Sequence, residues 1–587
     1  MITQSVRQLK ENLAVAAGEK SADLLLTNIQ VVDVFTETIY PGTLVIKNGR
    51  IVAVNPGFQI KSIQIYDGGG SYAIPGFMDA HVHIEPTLLT PETLGALTVP
   101  CGTTALFVDA MEIANVAGIE GLRALTATSQ ALPYHLFLEV PSRVPTAPGL
   151  ETTGGILGLA EVEALLDEPL AASLGEMDPA KVLNYQEEYL AKIIAAKKLW
   201  RRANGHAIGL NWEQLNVYAC AGLADDHECT EYEELLERLK LGMVVMLREG
   251  STERNVEKLI KGVIANNLPT TNLIFCTDDK HANDILAEGH INFNVNKAIA
   301  LGLSPIKAIQ MATINIARHF GLQQELGSLA PGRQADIILC DTLTAIKPRT
   351  VFFRGQLVAK EGQLVIDLPV GSYPEFLYHT VKVPESFNEV SLQLTAKGST
   401  VRAKVINLYP DQIINYQTID ELPIVDDKVQ VDTERDILKL AVVERYGRGG
   451  RVGLAFVRGF GLKKGALAAS VAHDHHNIVV VGASDADMYL AVQEIGRLQG
   501  GLVAVTDGQV VASLPLPIGG LMSPWPPEQI LAAMAKLNAA ATALGCTLPA
   551  PFMTLSFISL PTVPQLGLTD YGLVDVMKRE LVSPLVD

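Results

Sequence analysis

The residues best suited to chemistry stand in the run Pro75-Gly76-Phe77-Met78-Asp79-Ala80-His81-Val82-His83. In an extended strand, side chains at i and i+2 leave the same face, so Asp79, His81 and His83 point one way and Met78, Ala80 and Val82 the other. Two imidazoles together at the carboxyl end of a strand make half of a metal site, although two solvated histidines on an edge strand have the same spacing. Four further residues bear on the choice: Glu176 in SLGEM, His206 in ANGHAIGL, His227 in ADDHECT and Asp278 in LIFCTDD. Each lies near a strand-like run. Any one alone fits a satisfied buried histidine or a solvated loop acid. In the order in which a barrel presents its strand ends, and with the HxH strand before them, they point to a metal centre.

The elements that must hold these groups change texture along the chain. Residues 22–74 read as short strands between turns, with a hairpin signal at Asn48-Gly49 and a glycine turn at Gly68-Gly69-Gly70. From about 75 to 320, apolar strand-like runs (TTALFVDA, HLFLEV, NLIFCTDD) alternate with helical stretches such as 187–203 and 230–240. That alternation implies βα units on a parallel sheet, and the span approaches the ~250 residues of a (β/α)₈ barrel. After Gly327 the β texture returns. Strand-like runs then recur with a helix at 484–499, and the proline-rich piece at Ser523–Pro527 reads as a loop. The expected fold is α/β: a (β/α)₈ TIM-type barrel over 75–321, a β-sandwich domain split between 1–74 and 322–384 around it, and a C-terminal α+β domain over 385–587.

Composition narrows the function class. The chain has 587 residues, 48% apolar and 19% charged, with 46 basic against 64 acidic side chains and a formal charge of −18. This balance argues against a nucleic-acid partner, whose phosphates require clustered Lys and Arg. The six cysteines, Cys101, Cys220, Cys229, Cys276, Cys340 and Cys546, show no paired spacing that would suggest a disulfide framework. No apolar run has the length of a membrane helix, and the first twenty residues lack the core of a secretory signal. A cytoplasmic protein with no membrane partner is expected.

The HxH strand followed by Glu, His, His and Asp resembles the amidohydrolase superfamily of metal-dependent hydrolases. Over nearly its whole length the chain is more specifically similar to the adenine deaminase family. The stretches that carry this are Glu112–Val116, Gly205-His206-Ala207, Asp226–Thr230, Leu247–Ser251 and Cys276–Asp279, then Val457–Leu462, Ala472-His473-Asp474, Leu514–Ile518 and Gly519–Ser523. The resemblance implies two divalent cations, Mn²⁺ or Fe²⁺, with His81 and His83 on one, His206 and His227 on the other and Glu176 bridging. Asp278 would ligate a metal and move protons. The implied reaction is hydrolysis of adenine to hypoxanthine and ammonia by a metal-activated hydroxide, as in purine salvage or adenine catabolism. Glu112 and Glu228 are candidates for supplying a proton or hydrogen bond to the ring. The partners implied are adenine, water and further copies of the chain in a homo-oligomer.

The sequence also departs from the family pattern. Where the family commonly shows Asp-Pro-His-Glu, this chain has Asp109-Ala110-Met111-Glu112, replacing an imidazole with a thioether that binds hard ions poorly. Two other readings therefore stand beside the first: a hydrolase of another aminated heterocycle or cyclic amide, and a metal-binding but inactive homologue. Arg248 and Glu249 either face the barrel mouth or form a surface ion pair. The His473-Asp474-His475-His476 cluster is expected to be structural or interfacial rather than a second metal site. Cys229 and Cys276 are expected as buried packing.

Overall fold

The computed structural model describes residues 4–409, 414–562 and 565–586. Its central part is built on eight strands: β1 (Phe77–Val82), β2 (Thr103–Asp109), β3 (His135–Val140), β4 (Ala171–Met177), β5 (Arg202–Gly205), β6 (Asp225–Asp226), β7 (Val244–Arg248) and β8 (Leu273–Cys276). All pairings from β1 to β5 and from β6 to β8 are parallel. Two seams close the ring. Ala224 N–H donates to the Ala203 carbonyl at 2.9 Å between β5 and β6, and Asp278 N–H to the His81 carbonyl at 3.0 Å between β8 and β1. Every residue of β1, β2, β3 and β8 is buried, which is why these runs read as continuous apolar texture rather than as alternation. Inside, Met78, Phe107, Phe137, Met246 and Ile274 pack with Ile316 and Leu326 into one cluster that fills the barrel floor.

Two arms of chain flank the barrel in one nine-stranded sheet. Its join is the antiparallel pairing of Tyr72–Pro75 with Ile337–Cys340, which brings the segment before β1 against the segment after the last barrel helices. The Asn48-Gly49 hairpin forms as expected, with φ values of 51° and 74°, the left-handed pair that such a two-residue turn requires. Gly76, between the sheet and β1, is fixed by contact: a Cβ there would lie 2.2 Å from Thr104 Oγ1.

Beyond residue 400 a ten-stranded sheet carries the helix Asp485–Leu498 on one face. The expected helix near 187–203 ends at Lys198, because Arg202–Gly205 is needed as β5. The C-terminal sheet is docked onto the barrel mouth. Thr152, in the loop after β3, donates from its backbone and hydroxyl to Asp570 at 2.9 and 2.6 Å, and Asn477 Nδ2 donates to the Thr152 carbonyl at 2.9 Å. One apolar cluster runs without a break from Val82 and Leu106 in the barrel to Val457 and Val481 in the C-terminal sheet. No helix among the described residues is long and apolar enough to cross a membrane.

Candidate metal centre and active site

His81 and His83 lie at the carboxyl end of β1, and each ring is held by its Nδ1. His83 Nδ1 is 2.7 Å from the Asp109 backbone carbonyl. A carbonyl can only accept, so Nδ1 carries a proton and Nε2 is turned inward, toward Glu176 and Asp278. His81 Nδ1 is 2.6 Å from Glu139 Oε2, and its Nε2 is buried with no hydrogen-bond partner. A carboxylate behind one ring nitrogen with a bare lone pair at the other is the arrangement of a metal-ligating histidine. Asn204 donates to the second Glu139 oxygen at 2.5 Å, fixing that carboxylate in turn. Asp79 does not join the two histidines. The β1 register shifts between Asp79 and Val82, and the Asp79 carboxylate accepts from Thr277 N–H at 3.0 Å and from the Thr277 hydroxyl, bracing β1 against β8.

Glu176, near the end of β4, is the hub. Oε2 lies 2.9 Å from His206 Nδ1 and 3.4 Å from His227 Nε2, while Oε1 accepts from Arg143 Nη2 at 2.5 Å and lies 3.8 Å from His83 Nε2. Burial pushes this carboxyl up, but Arg143 and His206 outweigh it and hold Glu176 well below the ordinary carboxylate range. Burial lowers His206, yet Glu176 and Glu228 carry it up to about 9. Asp278, just past β8, has two distinct oxygens. Oδ1 faces His83 Nε2 at 3.6 Å and His81 Nε2 at 3.7 Å, and Oδ2 accepts from Arg248 Nη1 at 2.7 Å. Burial raises this carboxyl too, but Arg248 and the three facing histidines depress it below its usual value.

These six side chains form overlapping ligand groups: His81, His83 and Glu176; Glu176, His206 and His227; and His81, His227 and Asp278, with the ligand atoms of each group within 4.8 Å of one another. Glu176 belongs to two of the three. Four imidazoles and two carboxylates, most of them buried, suit hard or borderline divalent cations rather than thiophilic ones. The residues present therefore fit a metal centre, and the partnerless His81 Nε2 is the plainest sign.

Sequence comparison bears on what the site serves. Residues 72–365 match the model of the amidohydrolase family, and residues 412–580 match that of the adenine deaminase C-terminal domain. The chain is 61% identical over 582 residues, 99% of each chain, to a protein from Desulforamulus reducens named adenine deaminase. It is 40% identical to another of that name from Moorella thermoacetica, across 98% of this chain and 97% of the other. The chain belongs to the adenine deaminase family.

Within that family the rim of the site is particular. A cavity of about 950 Å³ opens over the ligand cluster, and both halves of the molecule line it: His83, Met111, Glu112 and Arg248 from the barrel, His473, Asp474 and Phe557 from the C-terminal domain. Met111, which stands where the family usually has histidine, is 3% exposed and faces this cavity. Both glutamates expected to serve the substrate ring line the same space. Burial raises the Glu112 carboxyl, but His83 and His473 outweigh it and keep it ionised, with His473 Nδ1 at 3.4 Å. Arg248 grips Glu228 with both terminal nitrogens, at 2.6 and 3.3 Å. In these contacts Glu228 accepts from Arg248, and Glu112 faces the His473 ring.

Arg248 thus faces the mouth, and is no surface residue at 6% exposed. Glu249 turns outward to a pair with Lys297 at 2.6 Å and accepts from Val256 N–H at 3.2 Å. Cys229 and Cys276 are buried packing. Sequence reasoning missed Arg143, Asp279, His473 and Asp474 as cavity residues. Arg143 stands three positions past β3 with no chemical partner near it in sequence. Asp279 is pushed up to about 7 by burial and by its neighbour Asp278. His475 and His476 each use Nδ1 to accept a local backbone N–H, from Asn477 at 3.0 Å and Ala472 at 3.3 Å, while His476 also groups with Glu112 and His473 as a further set of buried side chains close enough to hold a cation, so the expectation of a purely structural cluster does not cover it.

Proposed function

We infer that the protein hydrolyses adenine to hypoxanthine and ammonia. The observation that carries this is the convergence of His81, His83, Glu176, His206, His227 and Asp278 beneath one cavity, in a chain of the adenine deaminase family. His81 and His83 would hold one divalent cation and His206 and His227 a second, with Glu176 between them and Asp278 as a further ligand; Mn²⁺ and Fe²⁺ both suit this set. When bound, such a pair supplies hydroxide near neutral pH by lowering the pKa of water.

The chain's own groups do the rest. Asp278 Oδ2 is committed to Arg248, so Oδ1, facing His81 and His83, is the atom that takes a proton from the attacking water and returns it to the departing amine. Adenine plus water gives hypoxanthine plus ammonia, so this relay leaves no net proton. Glu228, fixed by Arg248, and Glu112, fixed by His473, are acceptors for the N–H groups of the purine, and Met111 and Phe557 offer apolar wall to a flat ring. Hydrolysis of a cyclic amide is the weaker reading, since hydantoinase-like relatives place a carboxylated lysine where this chain has Glu176. An inactive homologue is weaker too, because all six proposed ligands converge beneath the cavity without needing a ligand at position 111. A homo-oligomer belongs to the same proposal and rests on the family resemblance, and a cytoplasmic setting is proposed with it from the sequence reading above.

A substrate panel tests it. Ammonia release by Mn²⁺-loaded protein is expected with adenine and absent with adenosine, cytosine and hydantoin. Turnover of hydantoin without turnover of adenine would replace this function with the cyclic-amide one.

A further inference from the structure

Glu176 is gripped from one short segment that follows β3. Ser142 Oγ donates to the Glu176 backbone carbonyl at 2.5 Å and Arg143 Nη2 to its Oε1 at 2.5 Å. Arg143 is 8% exposed, and its Nε is buried without a hydrogen-bond partner, so the guanidinium is turned into the site rather than toward water. Its other terminal nitrogen, Nη1, lies 3.7 Å from Asp474 Oδ2, which comes from the C-terminal domain. Asp474 is itself placed by docking, since Asn477 three residues on donates to the Thr152 carbonyl at 2.9 Å and lies 3.3 Å from Asp570. A chain of contacts therefore runs from the C-terminal domain through Asp474 and Arg143 to the carboxylate at the centre of the ligand cluster.

We propose that Arg143 is a positioning residue for the metal centre and that Asp474 lets the C-terminal domain set its place. This rests on Glu176 being the bridging ligand. A carboxylate has about four acceptor sites over its two oxygens, so Oε1 can receive the Arg143 hydrogen bond and still present a lone pair to a cation. The planar fork then fixes which lone pair that is. An outer partner of this kind orients a ligand and typically changes metal affinity or activity by about 10–100-fold when removed. The C-terminal domain thereby does more than roof the cavity: it holds the group that holds the bridge.

The test follows metal release. Full-length protein loaded with Mn²⁺ is mixed with excess chelator and loss of the ion is timed. Arg143→Met is expected to speed release about 10–100-fold. Arg143→Lys, which keeps the charge but loses the fork, should fall between it and wild type. Asp474→Asn should speed release less than Arg143→Met and add nothing to it in the double variant, because it acts through that side chain. Release from Arg143→Met at the wild-type rate would overturn the proposal. An additive double variant would overturn the link to the C-terminal domain. If Arg143→Met does not fold, Arg143→Lys carries the test, and wild-type release from it is the overturning result. Glu176→Gln separates the two levels: firm retention of Mn²⁺ by that variant would remove the bridging role itself, whereas rapid loss beside an unaffected Arg143→Met would remove only the positioning role.

Discussion

Asp278→Asn isolates the proton relay from the scaffold around it. The side chain keeps its shape and one carbonyl oxygen, and Arg248 keeps its two contacts to Glu228 at 2.6 and 3.3 Å, so the buried guanidinium is not stranded. One charge-assisted hydrogen bond, Arg248 Nη1 to Asp278 Oδ2 at 2.7 Å, is weakened, which costs about 1–3 kcal/mol and leaves a folded protein. The catalytic loss is larger. An amide cannot take a proton at the atom facing His81 and His83, and general acid–base groups contribute about 10²–10⁴-fold. That is about 3–5 kcal/mol of barrier. The assay is adenine consumption by ultraviolet absorbance, with metal content measured on the same sample and the rate expressed per loaded chain. Turnover at the wild-type rate by the loaded variant would refute the relay.

Three other outcomes follow from the same geometry. Glu139→Ala removes the acceptor behind His81 Nδ1 and should weaken metal binding about 10–100-fold in a competition titration; unchanged affinity would mean that His81 is not a ligand. Met111→Leu should leave turnover on adenine near wild type, because a thioether moves no proton, and a large fall would place Met111 against the reacting atoms. Phe107→Ala empties the barrel floor between Phe137 and Phe320, whose ring centroids lie 4.9 and 3.8 Å away, and should cost about 3–5 kcal/mol in chemical denaturation; an unchanged midpoint would contradict the packing described.

Much of this molecule was legible from residue order because barrels present their chemistry at strand ends. His81 and His83 announce themselves by spacing, and Glu176, His206, His227 and Asp278 each sit at or just beyond the end of a largely buried strand, where one-dimensional reading works well. Asp79 shows where it stops working. Strict alternation placed it beside the histidines, but a register shift inside β1 gave its carboxylate to Thr277. Glu139 and Asp109 were invisible for another reason: they hold ligand rings from behind, Glu139 by its carboxylate and Asp109 by its backbone carbonyl, and nothing in HLFLEV or TTALFVD marks a group that serves a histidine more than 25 positions away. Arg143 and Asp474 are harder still. They meet only because two separate parts of the chain dock, so no local pattern in either could signal the other. Met111 tells the opposite lesson. As a departure from the family it was conspicuous in sequence, yet in space it is a buried wall residue of the cavity, and the six proposed ligands assemble without it.

The central claim is that this metal-ligand cluster deaminates adenine, and stoichiometry tests it most directly. Protein is stripped of metal and titrated with Mn²⁺ or Fe²⁺, and hypoxanthine and ammonia are quantified at each step. The account predicts one ammonia per hypoxanthine, a rate that rises with bound metal, and no turnover by the stripped protein. Metal bound at His81, His83, His206 and His227 with no hypoxanthine formed from adenine would contradict it.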